Sequence, residues 1–172
     1  MIRFATLAAA AAMALSAPAL AAPATSAPVQ TAAAPGVSVE AVRAWLISKG
    51  GTVSEVNRRE GETWISVNDG PLTWVIFFYS CETDVCGDIQ YAASFSNDTI
   101  TPDLINSWNR DRRFLKAFYM PAEADREATG VVQYDVLMEG SDVEQLTEHT
   151  ALWLDLVAAF GTTVGYFAPD AE

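Results

Sequence analysis

The sequence predicts an α+β fold in which helices pack on an antiparallel sheet of about five to six strands. Segments with apolar residues at helical spacing alternate along the chain with segments rich in β-branched and aromatic residues. The turns between successive strand segments are short, as antiparallel neighbours allow. The chain has 172 residues, of which 51% are hydrophobic, and this is enough for one domain with its own core.

The first segment, Met1–Ala21, has the three parts of a secretory signal peptide. Arg3 gives a basic start, the apolar run 7–17 follows, and small residues precede a cleavage site after Ala21. The run is shorter than the roughly 18 residues of a membrane span, and a lipid anchor would need a cysteine where Ala22 stands. We therefore expect a periplasmic or secreted protein that is not inserted in a membrane after cleavage.

A linker and the first helix come next. Residues 22–36 contain no charged or aromatic residue and three prolines, which is typical of a flexible tether. The folded domain, 37–161, begins beyond it. Ser38 is a good N-cap, Glu40 lies in the first helical turn, and apolar residues follow at helical spacing. Two glycines at 50 and 51 end this helix.

Four strands are predicted after this helix, joined by turns. They cover the segments 52–58, 63–68, 72–80 and 89–95. If the two cysteines in the last hairpin face each other, Ile76 lies opposite Tyr91 on a wholly apolar face. The other face of the hairpin, where Phe77 lies opposite Gln90, is then mixed in polarity.

Cys81 and Cys86 bound the loop of that hairpin. We interpret them as a disulfide, because an exported chain meets an oxidising compartment. A redox dithiol and a pair of metal ligands are the alternatives. The spacing is not the Cys-x-x-Cys of redox proteins, and a closed zinc site needs four ligands, for which only His149 remains.

A helix and two strands follow the hairpin. Thr101 is a good N-cap, Pro102 occupies the first helical position, and Trp108 belongs to the apolar stripe of the helix. The strands are predicted over 114–120 and 131–139. The second alternates polar with apolar residues, and such alternation indicates a half-buried strand.

The last helix is the clearest amphipathic segment of the sequence. Ser141 and Glu144 have the spacing of a capping box, in which each side chain satisfies the other residue's backbone amide. A stripe then recurs at every third or fourth position: Leu146, Thr150, Trp153, Val157 and Phe160. Gly161 ends the helix and leaves a C-terminal tail, 162–172.

The charge and the scarcity of reactive residues exclude several functions. Signal cleavage removes Arg3 and no acid, so nine basic residues stand against 22 acidic ones, a formal charge of −13. Nucleic acid and anionic lipid are therefore not expected as partners. His149 lies beside the stripe of the last helix and is expected to be a boundary imidazole. We predict no catalytic residue, no metal and no cofactor.

One short stretch concentrates positive charge. Arg110, Arg112, Arg113 and Lys116 provide four of the nine basic residues within seven positions. Basic groups at a helix C-terminus interact favourably with the helix dipole and can pair with nearby acids. The alternative is that this patch, with an exposed aromatic side chain such as Trp64, recognises an acidic segment of a protein partner.

The part of the chain that contains this basic patch resembles the YbjN family of bacterial proteins. The resemblance covers about residues 38–160 and is carried by Cys81, Cys86, Asn106, Trp108, Asn109, Arg113-Phe114 and Ala117-Phe118. It implies a regulator of sensory transduction and a fold similar to type III secretion chaperones, which often dimerise to bind segments of other proteins. It implies no catalytic residue.

Together these features predict a non-catalytic, exported adaptor or regulatory domain that recognises a protein partner, as a monomer or a homodimer. The signal peptide argues against service as a chaperone of cytoplasmic secretion cargo. Two alternatives stay open, a periplasmic sensor of a small ligand and a hydrolase built on carboxylates with Arg112 or Arg113. Asn106 and Asn109 are expected to anchor local backbone.

Overall fold

An eight-stranded antiparallel sheet and three α-helices form the domain in a computed structural model, which describes residues 35–167. The predicted α+β class is confirmed, with more strands than the five to six expected. The predicted signal peptide, 1–21, and the linker as far as residue 34 lie outside the described residues. No helix within the described range is both long and apolar enough to cross a membrane.

Strands and helices alternate in groups along the chain. The strands are β1 Val37–Ser38, β2 Thr52–Val53, β3 Asn57–Arg59, β4 Glu62–Asp69, β5 Leu72–Glu82, β6 Val85–Ser96, β7 Lys116–Met120 and β8 Thr129–Leu137. The helices are α1 Val39–Ser48, α2 Pro102–Asp111 and α3 Leu146–Thr163, with a single 3-10 turn, Val143–Gln145, before α3.

The single strand predicted over 52–58 is instead two short strands. β2 and β3 pair with opposite ends of β4. Between them the Ser54 hydroxyl accepts a hydrogen bond from the Ser66 amide at 3.0 Å. A side chain that takes a ladder position in this way interrupts regular pairing, and no periodicity in the sequence reports it.

The sheet has the strand order β2-β4-β5-β6-β8-β7, with β1 paired to β6 and β3 to β4. Alternate side chains of each strand enter the core, which one row across the sheet illustrates: Ile65, Ile76, Tyr91 and Tyr134 are all buried. The other face, called the helix-free face below, carries the exposed side chains of Tyr79, Phe118 and Leu137.

α3 supplies the centre of the core, as its stripe predicts. Leu146, Trp153, Val157 and Phe160 have no exposed surface. The Trp153 ring lies 5.6 Å from the ring of Tyr91, centroid to centroid. The strand predicted over 131–139 is confirmed in its alternation, since its even-numbered residues are the buried ones.

The hairpin β5–β6 has the predicted register. Ile76 pairs with Tyr91, Phe77 with Gln90, and Cys81 with Cys86. The two cysteines form a disulfide, and no free cysteine is present among the described residues. The disulfide interpretation is thereby confirmed, and with it the apolar and mixed faces of the hairpin.

Two of the three predicted helix starts differ from expectation. The Thr101 hydroxyl accepts a hydrogen bond from the Leu104 amide, as an N-cap does, but the Ser38 side chain makes no capping bond. The capping box at Ser141 and Glu144 is wrong. Asp142 accepts from the Glu144 amide instead, at 2.9 Å.

Glu144 does not form the capping interaction that its spacing predicted and instead links two helices. Its carboxylate accepts hydrogen bonds from the Trp45 indole at 3.1 Å and from Lys49 at 3.2 Å. Hydrogen bonds from Lys49, Thr147 and Trp45 lower the pKa of this carboxyl. The residue therefore ties α1 to the start of α3 and caps neither helix.

The last helix continues past Gly161 to Thr163. The amides of Tyr166 and Phe167 both donate to the Gly161 carbonyl, at 2.8 and 3.2 Å. A turn of this kind closes the helix and brings Val164, which is fully buried, onto the core. The part of the predicted tail that the structure describes is thus packed against the domain.

Candidate functional site

The basic patch predicted from the sequence lies on the connection between α2 and β7. Two side chains of α2 hold this connection. The Trp108 indole donates to the Leu115 carbonyl at 3.3 Å, and the Asn109 amide group makes two bonds to the backbone of Ala117. The segment 112–114 between these contacts is exposed.

The side chain of Asn109 hydrogen-bonds to the edge of β7 in the way that the backbone of a neighbouring strand would. Its Oδ1 accepts from the Ala117 amide and its Nδ2 donates to the Ala117 carbonyl, both at 2.9 Å. The backbone anchoring expected of this residue is therefore present. Asn106, the other family-motif asparagine, is exposed, and no hydrogen bond of its side chain occurs among the described residues.

Two of the four basic residues are neutralised by neighbouring acids. Arg110 donates twice to the Asp111 carboxylate, at 2.7 and 2.8 Å, and these hydrogen bonds lower the pKa of that carboxyl. Lys116 donates to Asp135 at 2.7 Å. Arg110 and Lys116 thus follow the simpler interpretation of the patch, in which basic groups pair locally.

The Asp135 carboxyl shows how firmly Lys116 is held. Burial opposes ionisation of this group, but hydrogen bonds from Lys116 and Gln90 outweigh it and leave its pKa below the ordinary value. The Gln90 amide donates to the second carboxylate oxygen at 2.6 Å. Lys116 is accordingly part of a polar network on the helix-free face of the sheet.

Arg112 and Arg113 differ from every other basic residue in the described part of the chain. The other seven each form an ion pair with a carboxylate. These two have neither an ion pair nor a side-chain hydrogen bond within residues 35–167. Their guanidinium groups stack on aromatic rings instead, Arg112 at 5.5 Å from Trp108 and Arg113 at 4.8 Å from Phe114.

Phe114 is held in an unusual conformation beside this pair. Its φ is +70°, in the left-handed region that a bulky residue rarely adopts. Its side chain is 54% exposed although it is large and apolar. The strand predicted to begin at 114 begins at Lys116 for this reason. Strain of this kind costs about 1–3 kcal/mol and is concentrated at functional sites.

Trp64 lies apart from the patch. It is half-buried on the helix-free face of β4, 6.3 Å from the ring of Phe77. The strands β5, β6 and β8 separate β4 from β7. Trp64 is the most exposed of the five tryptophans, as expected, but the structure does not bring it together with Arg112 and Arg113.

His149 is half-buried, and its position is the expected boundary one. Its Nδ1 lies 2.6 Å from the Tyr134 hydroxyl. Sequence reasoning missed this contact, and it missed the open groove beside it. The contact joins β8 to α3, and the groove opens where β7 stops along β8. The local sequence carries no signal for either feature.

Comparison with known proteins agrees with the resemblance noted from the sequence. A family model named YbjN, described as "Putative bacterial sensory transduction regulator", matches residues 38–165. A crystal structure of YbjN from E. coli, described as a putative transcription regulator, aligns with a TM-score of 0.47 and 14% identity. The alignment covers 73% of this chain and 87% of that one. The search of curated proteins found no match.

Proposed function

The chain belongs to the YbjN family, and from this premise we propose that it is an exported regulatory domain that binds a protein partner. The partner contributes an acidic segment. Arg112 and Arg113 bind its carboxylates, and Phe114 provides the apolar contact between them. The domain acts by binding and catalyses no reaction.

The unpaired state of Arg112 and Arg113 is the observation that carries this proposal. The mature protein has 13 more acids than bases by formal count, yet no described acid pairs with either of these side chains. Arginine binds carboxylates in a bidentate manner and is enriched at interface centres. Two guanidinium groups that have no described acidic partner on so acidic a protein are available to bind a carboxylate of another molecule.

The stacking of the two arginines supports binding in a second way. Each guanidinium already rests on an aromatic ring, so it loses little side-chain freedom when a carboxylate arrives. Interfaces gain affinity when such groups are held in advance. The exposed Phe114 ring adds the aromatic contact that is typical of interface centres.

The compartment is part of the same proposal. The sequence features of Met1–Ala21 support export, and the Cys81–Cys86 disulfide is compatible with an oxidising compartment. The partner is then expected in the periplasm or outside the cell.

Charge reversal tests the proposal directly. Tagged mature protein is used to capture partners from the native periplasm after crosslinking, with mass spectrometry as the readout. The variant Arg112→Glu/Arg113→Glu is expected to lose the captured partner with an unchanged melting temperature, because neither side chain is buried. The control Arg58→Glu/Arg59→Glu changes the net charge equally at strand β3 and is expected to keep the partner.

The proposal is rejected if the wild-type protein captures no reproducible partner. It is rejected equally if the Arg112→Glu/Arg113→Glu variant captures the partner as well as the wild type does. A partner lost in both double variants would show that capture follows net charge and that Arg112 and Arg113 form no specific site.

A further inference from the structure

Part of strand β8 has no neighbouring strand on one side within residues 35–167, the part of the chain that the structure describes. β8 pairs with β6 from Thr129 to Leu137, but β7 covers it only as far as Gln133. At that point the chain leaves the sheet, because Phe114 and Leu115 lead back towards α2. Residues 134–137 of β8 therefore form an open edge.

The main-chain groups at this edge point outward at two residues. Met138 donates to the Gly87 carbonyl at 2.9 Å, and antiparallel partners bond at every second residue. Even-numbered residues of β8 therefore bond to β6. The amides and carbonyls of Asp135 and Leu137 face the open side. No hydrogen bond from another described residue to these groups is present.

The outward backbone groups of the neighbouring edge strand, β7, are blocked by a side chain, whereas those of β8 at this edge are not blocked by any described residue. On β7, the outward amide and carbonyl of Ala117 are both taken by Asn109. Natural sheets block their edges in such ways because free edges pair with other chains. At Asp135 and Leu137 the described chain has no equivalent block, and Leu137 is 75% exposed.

A groove runs along the open edge. Its volume is about 690 Å³, and it lies between β8 and the start of α3, where Gln145 and His149 form the opposite wall. Gln145 is fixed by hydrogen bonds to Glu139, Gly140 and Asp142. A second groove of about 570 Å³ shares both wall residues and extends to Phe114 and Leu152. The wall is preformed, and the floor offers unpaired backbone groups.

The charge of the grooves selects the occupant. The acids that line them are Asp135, Glu139, Asp142, Glu144 and Glu148, and no described lysine or arginine lines either groove. Of these acids, only Asp135 and Glu144 have ion-pair partners. The chain's own linker is uncharged, and a second copy of the chain would bring further acid. A basic segment is the complementary occupant.

We propose that an extended, basic segment of a protein partner adds to the sheet beside β8, in line with β7. Its backbone pairs with Asp135 and Leu137, and its lysine or arginine side chains reach the carboxylates of the groove. Peptides that bind by strand addition gain affinity from main-chain bonds and specificity from side chains. This site includes neither Arg112 nor Arg113, adjoins them only at Phe114, and takes the opposite charge.

The test uses a short peptide in which lysine alternates with valine, and a matched peptide in which glutamate replaces lysine. Binding is measured by calorimetry, and hydrogen exchange is followed at single amides of the mature protein. The lysine peptide is expected to bind and to slow exchange at Asp135 and Leu137. The glutamate peptide is expected not to bind.

The variant Leu137→Pro isolates the edge. Proline removes the outward amide and leaves the ladder to β6 intact, so at least a tenfold loss of affinity is expected, equivalent to about 1.4 kcal/mol. Leu137→Thr keeps the amide and is expected to bind normally. Should Leu137→Pro unfold the domain, Glu139→Lys/Glu148→Lys tests the same groove through its charge.

The Arg112→Glu/Arg113→Glu variant is expected to bind the lysine peptide as the wild type does, so this site and the proposed arginine site can fail independently. Absence of lysine-peptide binding overturns the inference. So does equal binding by Leu137→Pro, or a dimer in the wild type that Leu137→Pro dissociates, because the occupant would then be a second copy. Stronger binding after deletion of residues 22–34 would assign the groove to the linker.

Discussion

Replacing Trp153 with alanine is expected to lower the free energy of unfolding by about 3–5 kcal/mol, the usual cost of removing a buried aromatic side chain. Trp153 has no exposed surface, and its ring centroid lies 6.1 Å from that of Trp74 and 5.6 Å from that of Tyr91. It lies at the centre of the contact between α3 and the sheet. Domains of this size are stable by only about 5–15 kcal/mol, so the variant approaches the limit of folding.

Urea denaturation followed by circular dichroism measures this effect. The control is Trp153→Phe, which keeps a ring in the core and removes an indole N–H that has no partner among the described residues. Its cost is expected to be clearly smaller than that of alanine. An alanine variant as stable as the phenylalanine variant would contradict the packing described for α3.

Replacing Asn109 with alanine is expected to lower the stability by about 1–3 kcal/mol, because it removes two hydrogen bonds to the backbone of one residue and leaves both groups without them. Asn109 is the side chain that ties α2 to β7. Its loss should loosen the connection that carries Arg112 and Arg113. Partner capture is therefore expected to weaken as well.

Asn106→Ala is the matched control for Asn109. Asn106 lies on the same helix, is exposed and makes no side-chain hydrogen bond within the described range. Its replacement is expected to change stability by no more than about 0.5 kcal/mol, as for other surface positions. Hydrogen exchange at the Ala117 amide should speed up in Asn109→Ala alone. Equal behaviour of the two variants would contradict the role of Asn109.

The fold could be predicted from the sequence where burial follows a simple period. The stripe of α3 and the alternation of β8 place Trp153 and Tyr134 correctly because one face of each element meets the core. The register of β5 and β6 followed from the two cysteines. These features depend on neighbours close in sequence, and such neighbours can be read without a structure.

Other features depended on contacts between distant segments. Glu144 had the spacing of a capping residue, but Trp45 and Lys49, about 100 residues earlier, take its carboxylate. The left-handed conformation of Phe114 likewise occurs within the connection that Trp108 and Asn109 hold between α2 and β7. Local patterns cannot report either arrangement.

The candidate site shows the same division. The sequence located a basic patch, but it could not separate the two paired residues from the two free ones. Arg110 finds Asp111 next to it, whereas Lys116 reaches Asp135 only because β7 and β8 are neighbours. Trp64 was grouped with the patch on exposure alone, and three strands separate it from β7.

Site-specific photocrosslinking tests the central claim most directly. A benzophenone amino acid replaces Phe114 in one protein and Tyr79, on the helix-free sheet face, in another. Irradiation in the native periplasm is expected to give a partner adduct from position 114. The adduct should disappear when Arg112→Glu/Arg113→Glu is added, and position 79 should give none. The same proteins are also tested with Glu139→Lys/Glu148→Lys, which removes binding in the acidic groove that Phe114 lines. In that background, an adduct from position 79 alone, or one at 114 that persists after charge reversal, would contradict partner binding at Arg112 and Arg113.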